Sequence, residues 1–275
     1  MRTDPQQDWQ IWHEQRTETV RAPYGPLSLT GTHWLSDHPE GRIPAVAGQW
    51  AEDGDEVVLA AGTEDRITVD GKPLTGEIRL TADTGPIDES RVLAGEQRLV
   101  VLRREGLWAV RVFDPQSPAR RAFAGIEAGP YDEKWALPGR FRPYDEGRTT
   151  IQVENADGRA RGLGLAGEIA FDVEGVEGVE GNEGVERNEH TLQVAIENDG
   201  SLWAVFADGT SDVSSYHFRF LRPAAPAADG TMTVDFNRAL LPPCAFADHF
   251  ICPFPPPGNT LSIAVPAGER NRIDR

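Results

Sequence analysis

From Leu27 onward the chain breaks into short runs that alternate apolar and polar residues, each closed by Gly, Pro, Asp or Asn. LSLTGTHWL, EVVLA, RITVD, EIRLTAD, QRLVVLRR and LWAVRVFD come first. TTIQVEN, GLGLAGEIAFDVEG, HTLQVAIEND, LWAVFAD, SYHFRFLR, MTVDFNRAL and TLSIAVPA follow. A period of two over runs this short suits strands that bury one face, and turns at this spacing suit antiparallel pairing. Val69-Asp70-Gly71-Lys72 reads as a tight hairpin, because Asp-Gly tolerates the positive φ that such a turn demands. Arg104-Glu105-Gly106 marks a second turn. The expected fold is therefore mostly β, with a sandwich in the first half and a second antiparallel β unit after it.

One segment departs from this texture. In QQDWQIWHEQRTETV, Trp9, Trp12, Arg16 and Val20 recur at helical spacing, and Pro23 and Gly25-Pro26 stop the pattern. The two tryptophans are expected to pin this helix to the body of the protein. The 275 residues then divide into a helix and lead-in over 1–26, a β-sandwich half over 27–125, and a second β unit over 149–275. Residues 126–148, rich in Pro, Gly and aromatics, read as a linker packed between the halves. The acidic stretch 174–190 repeats Gly-Val-Glu and reads as a low-complexity loop.

Charge narrows the partners. Forty-four acidic residues against 27 basic ones give a net charge of −17. Such a surface repels nucleic acid and anionic membrane. Lys72 and Lys134 are the only lysines, which suits a salty cytoplasm or equally an arginine-favouring GC-rich genome. No run approaches the roughly 20 apolar residues of a membrane helix. MRTDPQQDWQIW lacks the apolar core of a signal peptide, so a cytoplasmic address is expected. Oligomeric state is not legible.

The densest chemistry lies in DFNRALLPPCAFADHFICPFPPP, residues 235–257. Two readings compete for Asp235, Asn237 and Arg238. In one, Arg238 clamps an anionic metabolite while Asp235 and Asn237 supply polar contacts. In the other, the three form an internal network that anchors the C-terminal segment. Arg140-Phe141-Arg142-Pro143-Tyr144, with Tyr216 and Arg219 on opposite faces of SSYHFRFL, are further candidates for lining a pocket between the halves, or equally for packing and salt bridges there. Cys244 and Cys252 bracket Asp248 and His249. That spacing fits no familiar zinc module, so no metal is assigned, and buried free thiols are favoured over a disulfide. Neither a Gly-x-Ser-x-Gly elbow nor a phosphate or dinucleotide loop occurs, so no cofactor is implied and no catalytic residue is assigned. A hydrolase using Asp235 with Cys244 or an activated water is the alternative function, and a structural or partner-binding role is a third.

The C-terminal run also resembles a family. Asp-Phe-Asn-Arg, then Pro-Pro-Cys-Ala-Phe, Cys-Pro-x-Pro-Pro and Ala-Gly-Glu follow the pattern of the DUF1684 proteins. PLSLTGTHWL, the Asp-x-x-Ser-Pro-x-Arg stretch at 114–120, RFRPY at 140–144 and the stretch 210–221 are similar too. Leu240 and Leu241 depart from the Tyr and Asn usual before Pro-Pro-Cys, and the Gly-Val-Glu repeat resembles an insertion. The resemblance implies a first half similar to forkhead-associated sandwiches, and it transfers no activity.

Overall fold

The computed structural model describes residues 4–145, 147–173 and 189–275. Most of the 174–190 stretch read as a loop, residues 174–188, lies outside the described residues. The fold is mostly β with an N-terminal helix, α1 (Pro5–Arg21), and several antiparallel sheets. Two compact units are present: residues 18–123, and residues 124–275 together with the chain up to residue 17. Among the described residues no helix is long and apolar enough to cross a membrane.

The first unit holds β1 (Leu29–Trp34), β2 (Gln49–Asp53), β3 (Glu56–Ala61), β4 (Ile67–Val69), β5 (Lys72–Pro73), β6 (Gly76–Leu80), β7 (Val92–Ala94), β8 (Gln97–Arg104) and β9 (Leu107–Phe113). A six-stranded sheet runs β1-β9-β8-β7-β4-β5, and a three-stranded sheet runs β2-β3-β6. Alternation along these strands sends Trp50, Val57 and Leu59 from the small sheet into one cluster with Val69, Leu99 and Val110 from the large one. That shared core makes the sandwich. Val69 pairs with Lys72 across Asp70 and Gly71, whose φ values are +50° and +74°. Glu105 and Gly106 turn β8 into β9 in the same left-handed way. A short helix, α2 (Pro118–Ala122), follows, capped by the Ser117 hydroxyl on the Arg120 amide.

The second unit holds β10 (Phe123–Ala128), β11 (Ala136–Pro143), β12 (Thr149–Glu154), β13 (Ala160–Leu165), β14 (Gly167–Asp172), β15 (Glu189–Ile196), β16 (Leu202–Phe206), β17 (Arg219–Leu221), β18 (Thr231–Asp235) and β19 (Glu269–Asp274). Its main sheet runs β17-β16-β15-β14-β11-β18, with β10-β19 and β12-β13 as separate pairs. Residues 126–148, read from the sequence as a linker, thus contain half of β10 and all of β11. β11 is paired on both sides, to β14 and to β18, despite Pro138 and Pro143. The core beneath the sheet gathers Ile169, Phe171, Leu192, Phe206 and Phe236, and is closed by Leu261, Ile263 and Val265 of the C-terminal segment.

Candidate functional site

β18 alternates as expected, with Val234 fully buried, and then stops at Asp235. Phe236–Arg238 is a 3-10 turn rather than a continuation of the strand. The reason is local. The Asp235 carboxylate accepts from the Asn237 amide and from Asn237 Nδ2, both at 3.0 Å, and so caps the turn. This rotation buries Asn237, where its side chain answers both backbone groups of Asp132: Asp132 N donates to Oδ1 and Nδ2 donates to Asp132 O, each at 3.0 Å. The Asn237 carbonyl accepts from Trp9 Nε1 at 2.7 Å. Arg238 turns outward to lie over the Trp12 ring, with Asp8 at 2.5 Å and Asp235 at 3.6 Å.

A second arginine continues the same fastening. Arg16 pairs with Glu269 at 3.1 Å, donates to the Leu241 carbonyl and lies over Phe246. Glu269 is fully buried and also accepts from the Leu241 amide at 2.7 Å. Burial pushes the Glu269 carboxyl above its ordinary value, against the pull of Arg16. The helical face Trp9, Trp12 and Arg16 is therefore held by the Asp-Phe-Asn-Arg turn and by Glu269, as the pinning role of the tryptophans requires. His13 stacks on Trp9, and its buried Nε2 has no hydrogen-bond partner among the described residues. Burial lowers its pKa, and Arg16 adds to that effect.

Arg219 and Tyr216 do not converge on this place. The alternation read over 216–221 holds, and it sends them apart. Arg219 is fully buried and pairs with Asp208 at 2.6 Å. It also donates to the carbonyls of Val265, Ala267 and Glu269. Asp208 in turn accepts from the Thr210 amide, the Thr210 hydroxyl and the Val265 amide. Burial lowers the Arg219 pKa while Asp208 opposes that. The pocket-lining role expected of Arg219 gives way to cross-linking the C-terminal segment to β17. Tyr216 instead meets the sulfur of Cys244, its hydroxyl donating at 3.8 Å, in a cluster with Phe218, Phe220 and Cys252. Both cysteines are buried free thiols. Among the described residues no three His, Cys, Asp or Glu side chains gather as a metal site.

Sequence reasoning missed the partners Asp8, Asp132 and Asp208. They lie far from their arginine or asparagine in sequence or carry no local pattern. Arg140, Phe141, Arg142 and Pro143 of the RFRPY stretch line a groove of about 490 Å³ with residues 226–230, within the second unit rather than between the halves. β11 and β18 hold this groove at one end and the Asp-Phe-Asn-Arg turn at the other, since Arg140 faces Thr231 and Ala136 faces Asp235. Four residues of strand separate the two places by about 14 Å.

No curated protein matches this chain. A solution NMR structure of an uncharacterised protein from Haloarcula marismortui is 28% identical, covering 54% of this chain and 77% of that one, with a TM-score of 0.41. A family model described as a protein of unknown function, DUF1684, matches residues 121–270, more than half of the chain. The chain belongs to the DUF1684 family.

Proposed function

We propose that this protein binds a small anionic ligand, and that the ligand meets Arg140 in the groove at the far end of β11 rather than Arg238. What supports this is a difference between neighbouring guanidiniums. Arg142 is occupied by Glu189 at 2.5 Å and Glu168 at 3.5 Å. Arg238 is occupied by Asp8 and Asp235. Arg140 lines the groove with no hydrogen-bonded carboxylate among the described residues, in a chain of net charge −17 that has few cations to spare. Asp229 sits on the same rim and its charge attracts Arg140, while its Oδ1 is held by the Thr231 amide and hydroxyl at 3.0 and 2.7 Å. The groove's volume falls within the few hundred Å³ typical of small-ligand sites, and Phe141 with the prolines supplies apolar wall. Two buried cysteines held as thiols fit a reducing, cytoplasmic setting.

The test is thermal shift of wild type, Arg140→Gln and Arg238→Lys with inorganic phosphate, sulfate and small dicarboxylates, at low and high salt. The expected result is a concentration-dependent rise in melting temperature for wild type and Arg238→Lys, absent in Arg140→Gln. A rise that survives in Arg140→Gln, or none with any anion, would remove Arg140 from a ligand role.

A further inference from the structure

We propose that Cys244 and Cys252 form a reversible dithiol–disulfide pair, with Tyr216 positioning and activating the Cys244 sulfur. This site is independent of the anion groove and uses none of its residues.

Two stiff segments bring the thiols together. Cys244 sits in a 3-10 turn, Pro243–Ala245, entered through Pro242. Cys252 opens the proline-rich strap, where its carbonyl accepts from the Ala156 amide at 2.8 Å and Phe254 N donates to Glu154 O at 2.8 Å. Proline fixes φ on both sides, so each backbone is held in place before any reaction. Cys244 and Cys252 pack in one buried cluster, and the Tyr216 hydroxyl approaches the Cys244 sulfur at 3.8 Å. Apolar neighbours Val205, Phe218 and Phe220 wall the pair.

The Cys252 hydrogen bond holds the Cys244 thiol below its ordinary value, with Tyr216 adding to it, while burial and the Asp248 charge oppose them. Burial, together with the neighbouring thiol, pushes the Tyr216 phenol well above its ordinary value, so it stays protonated and remains a donor. A lowered thiol beside a second thiol is the arrangement that thiol–disulfide exchange requires. The residues between the cysteines include exposed Asp248 and His249, so this short stretch meets solvent and can admit a small oxidant.

The step balances with a low-molecular-weight disulfide as oxidant. The Cys244 thiolate attacks one sulfur of the disulfide, whose S–S bond breaks, leaving a mixed disulfide on Cys244 and releasing one thiolate. Cys252 gives its proton to solvent and attacks the Cys244 sulfur, expelling the second thiolate. Two electrons leave the protein thiols and reduce the external disulfide to two thiols.

Native protein incubated with oxidised glutathione, quenched by alkylation and weighed, tests this. Wild type is expected to lose two hydrogens, retain no glutathione, yield one peptide pair joined through Cys244 and Cys252, and return to the dithiol with dithiothreitol. Cys252→Ser is expected to trap glutathione on Cys244, and Cys244→Ser to stay unmodified. Tyr216→Phe is expected to slow native alkylation of Cys244 at neutral pH by about three- to fourfold per unit of restored thiol pKa, higher intrinsic nucleophilicity offsetting part of the lost thiolate fraction, with no slowing left in alkali. A purely packing role for Tyr216 would not give that pH profile. If wild type stays reduced while native, yet both thiols react in urea, the pair is inert packing and the proposal is overturned. Glutathione trapped on Cys252 in wild type, or an unchanged alkylation profile in Tyr216→Phe, overturns the assigned roles. The wild-type result stands on its own if a variant fails to fold.

Discussion

Arg219 and Arg238 lie close in sequence, both follow an aromatic–polar strand pattern, and both pair with an aspartate. Their surroundings differ completely. Arg219 is sealed from solvent among three carbonyls and Asp208. Arg238 is about one-third exposed, and its partner Asp8 is more than half exposed. In the interior a charge without a partner cannot be hydrated, so the pair must be kept whole; at the rim water replaces either partner at small cost. Two ion pairs with similar distances should therefore differ several-fold in what they contribute. Glu269 joins Arg219 to Arg16 of α1, since its carbonyl accepts from Arg219 and its carboxylate holds Arg16.

The largest break in that comparison should come from Arg219→Met, which leaves Asp208 buried and unpaired. The expected cost is about 3–5 kcal/mol, read from the urea midpoint. Adding Asp208→Asn should recover part of it, because the orphaned charge goes. A cost for the single variant as small as that of a surface pair would mean the Arg219 network is hydrated, and the contrast with Arg238 would collapse.

Asn237→Ala comes next. It leaves the amide and carbonyl of Asp132 without their partner and removes the Nδ2 contact to Asp235, while the backbone cap of the turn stays, at about 1–3 kcal/mol. If this loss is small while Arg219→Met is severe, the 3-10 turn is not what holds α1, and Arg16–Glu269 carries that role.

Asp157→Asn sharpens the comparison through pH. Asp157 accepts two hydrogen bonds at 2.6 Å from Arg161, whose side chain is nearly buried while Asp157 keeps about a fifth of its exposure. The Arg161 hydrogen bonds are the main cause of a carboxyl held below its ordinary 3.8. A depressed folded pKa contributes stability above the unfolded value and loses it as pH falls through the folded one. Wild type should exceed the variant by about 1–2 kcal/mol near neutrality. That gap should close in acid, below pH 3.8. A gap that persists unchanged in acid would assign the effect to packing rather than charge.

Much of this was legible locally. The Asp70-Gly71 turn, the sandwich texture, the helix bearing Trp9 and Trp12, and the alternation of Tyr216 and Phe218 against Arg219 all follow from short-range pattern. The end of β18 did not, because Asp235 wins its own backbone back from the strand through a hydrogen bond two residues ahead. β11 was hidden by its prolines and glycine, whose loop-like composition is tolerated because β14 and β18 flank it. The site failed for a different reason. Whether Arg238 meets a ligand or Asp8 depends on a residue 230 positions away, and no local signal encodes that meeting.

Arg238→Lys is the smallest effect and the finest test. Lysine keeps the charge near Asp8 and Asp235 but loses the planar fork and its stacking on Trp12. With solvent screening the pair, the expected loss is below about 1 kcal/mol, and it should shrink further in high salt. A loss of that size that is insensitive to salt would point to the stacked guanidinium–indole contact rather than to the carboxylates. A loss approaching that of Arg219→Met would show that the rim of the turn is shielded from water far more than its exposure indicates. The Asp-Phe-Asn-Arg turn would then owe its hold on α1 to charge, where burial of Asn237 and Glu269 is the cause argued from the geometry.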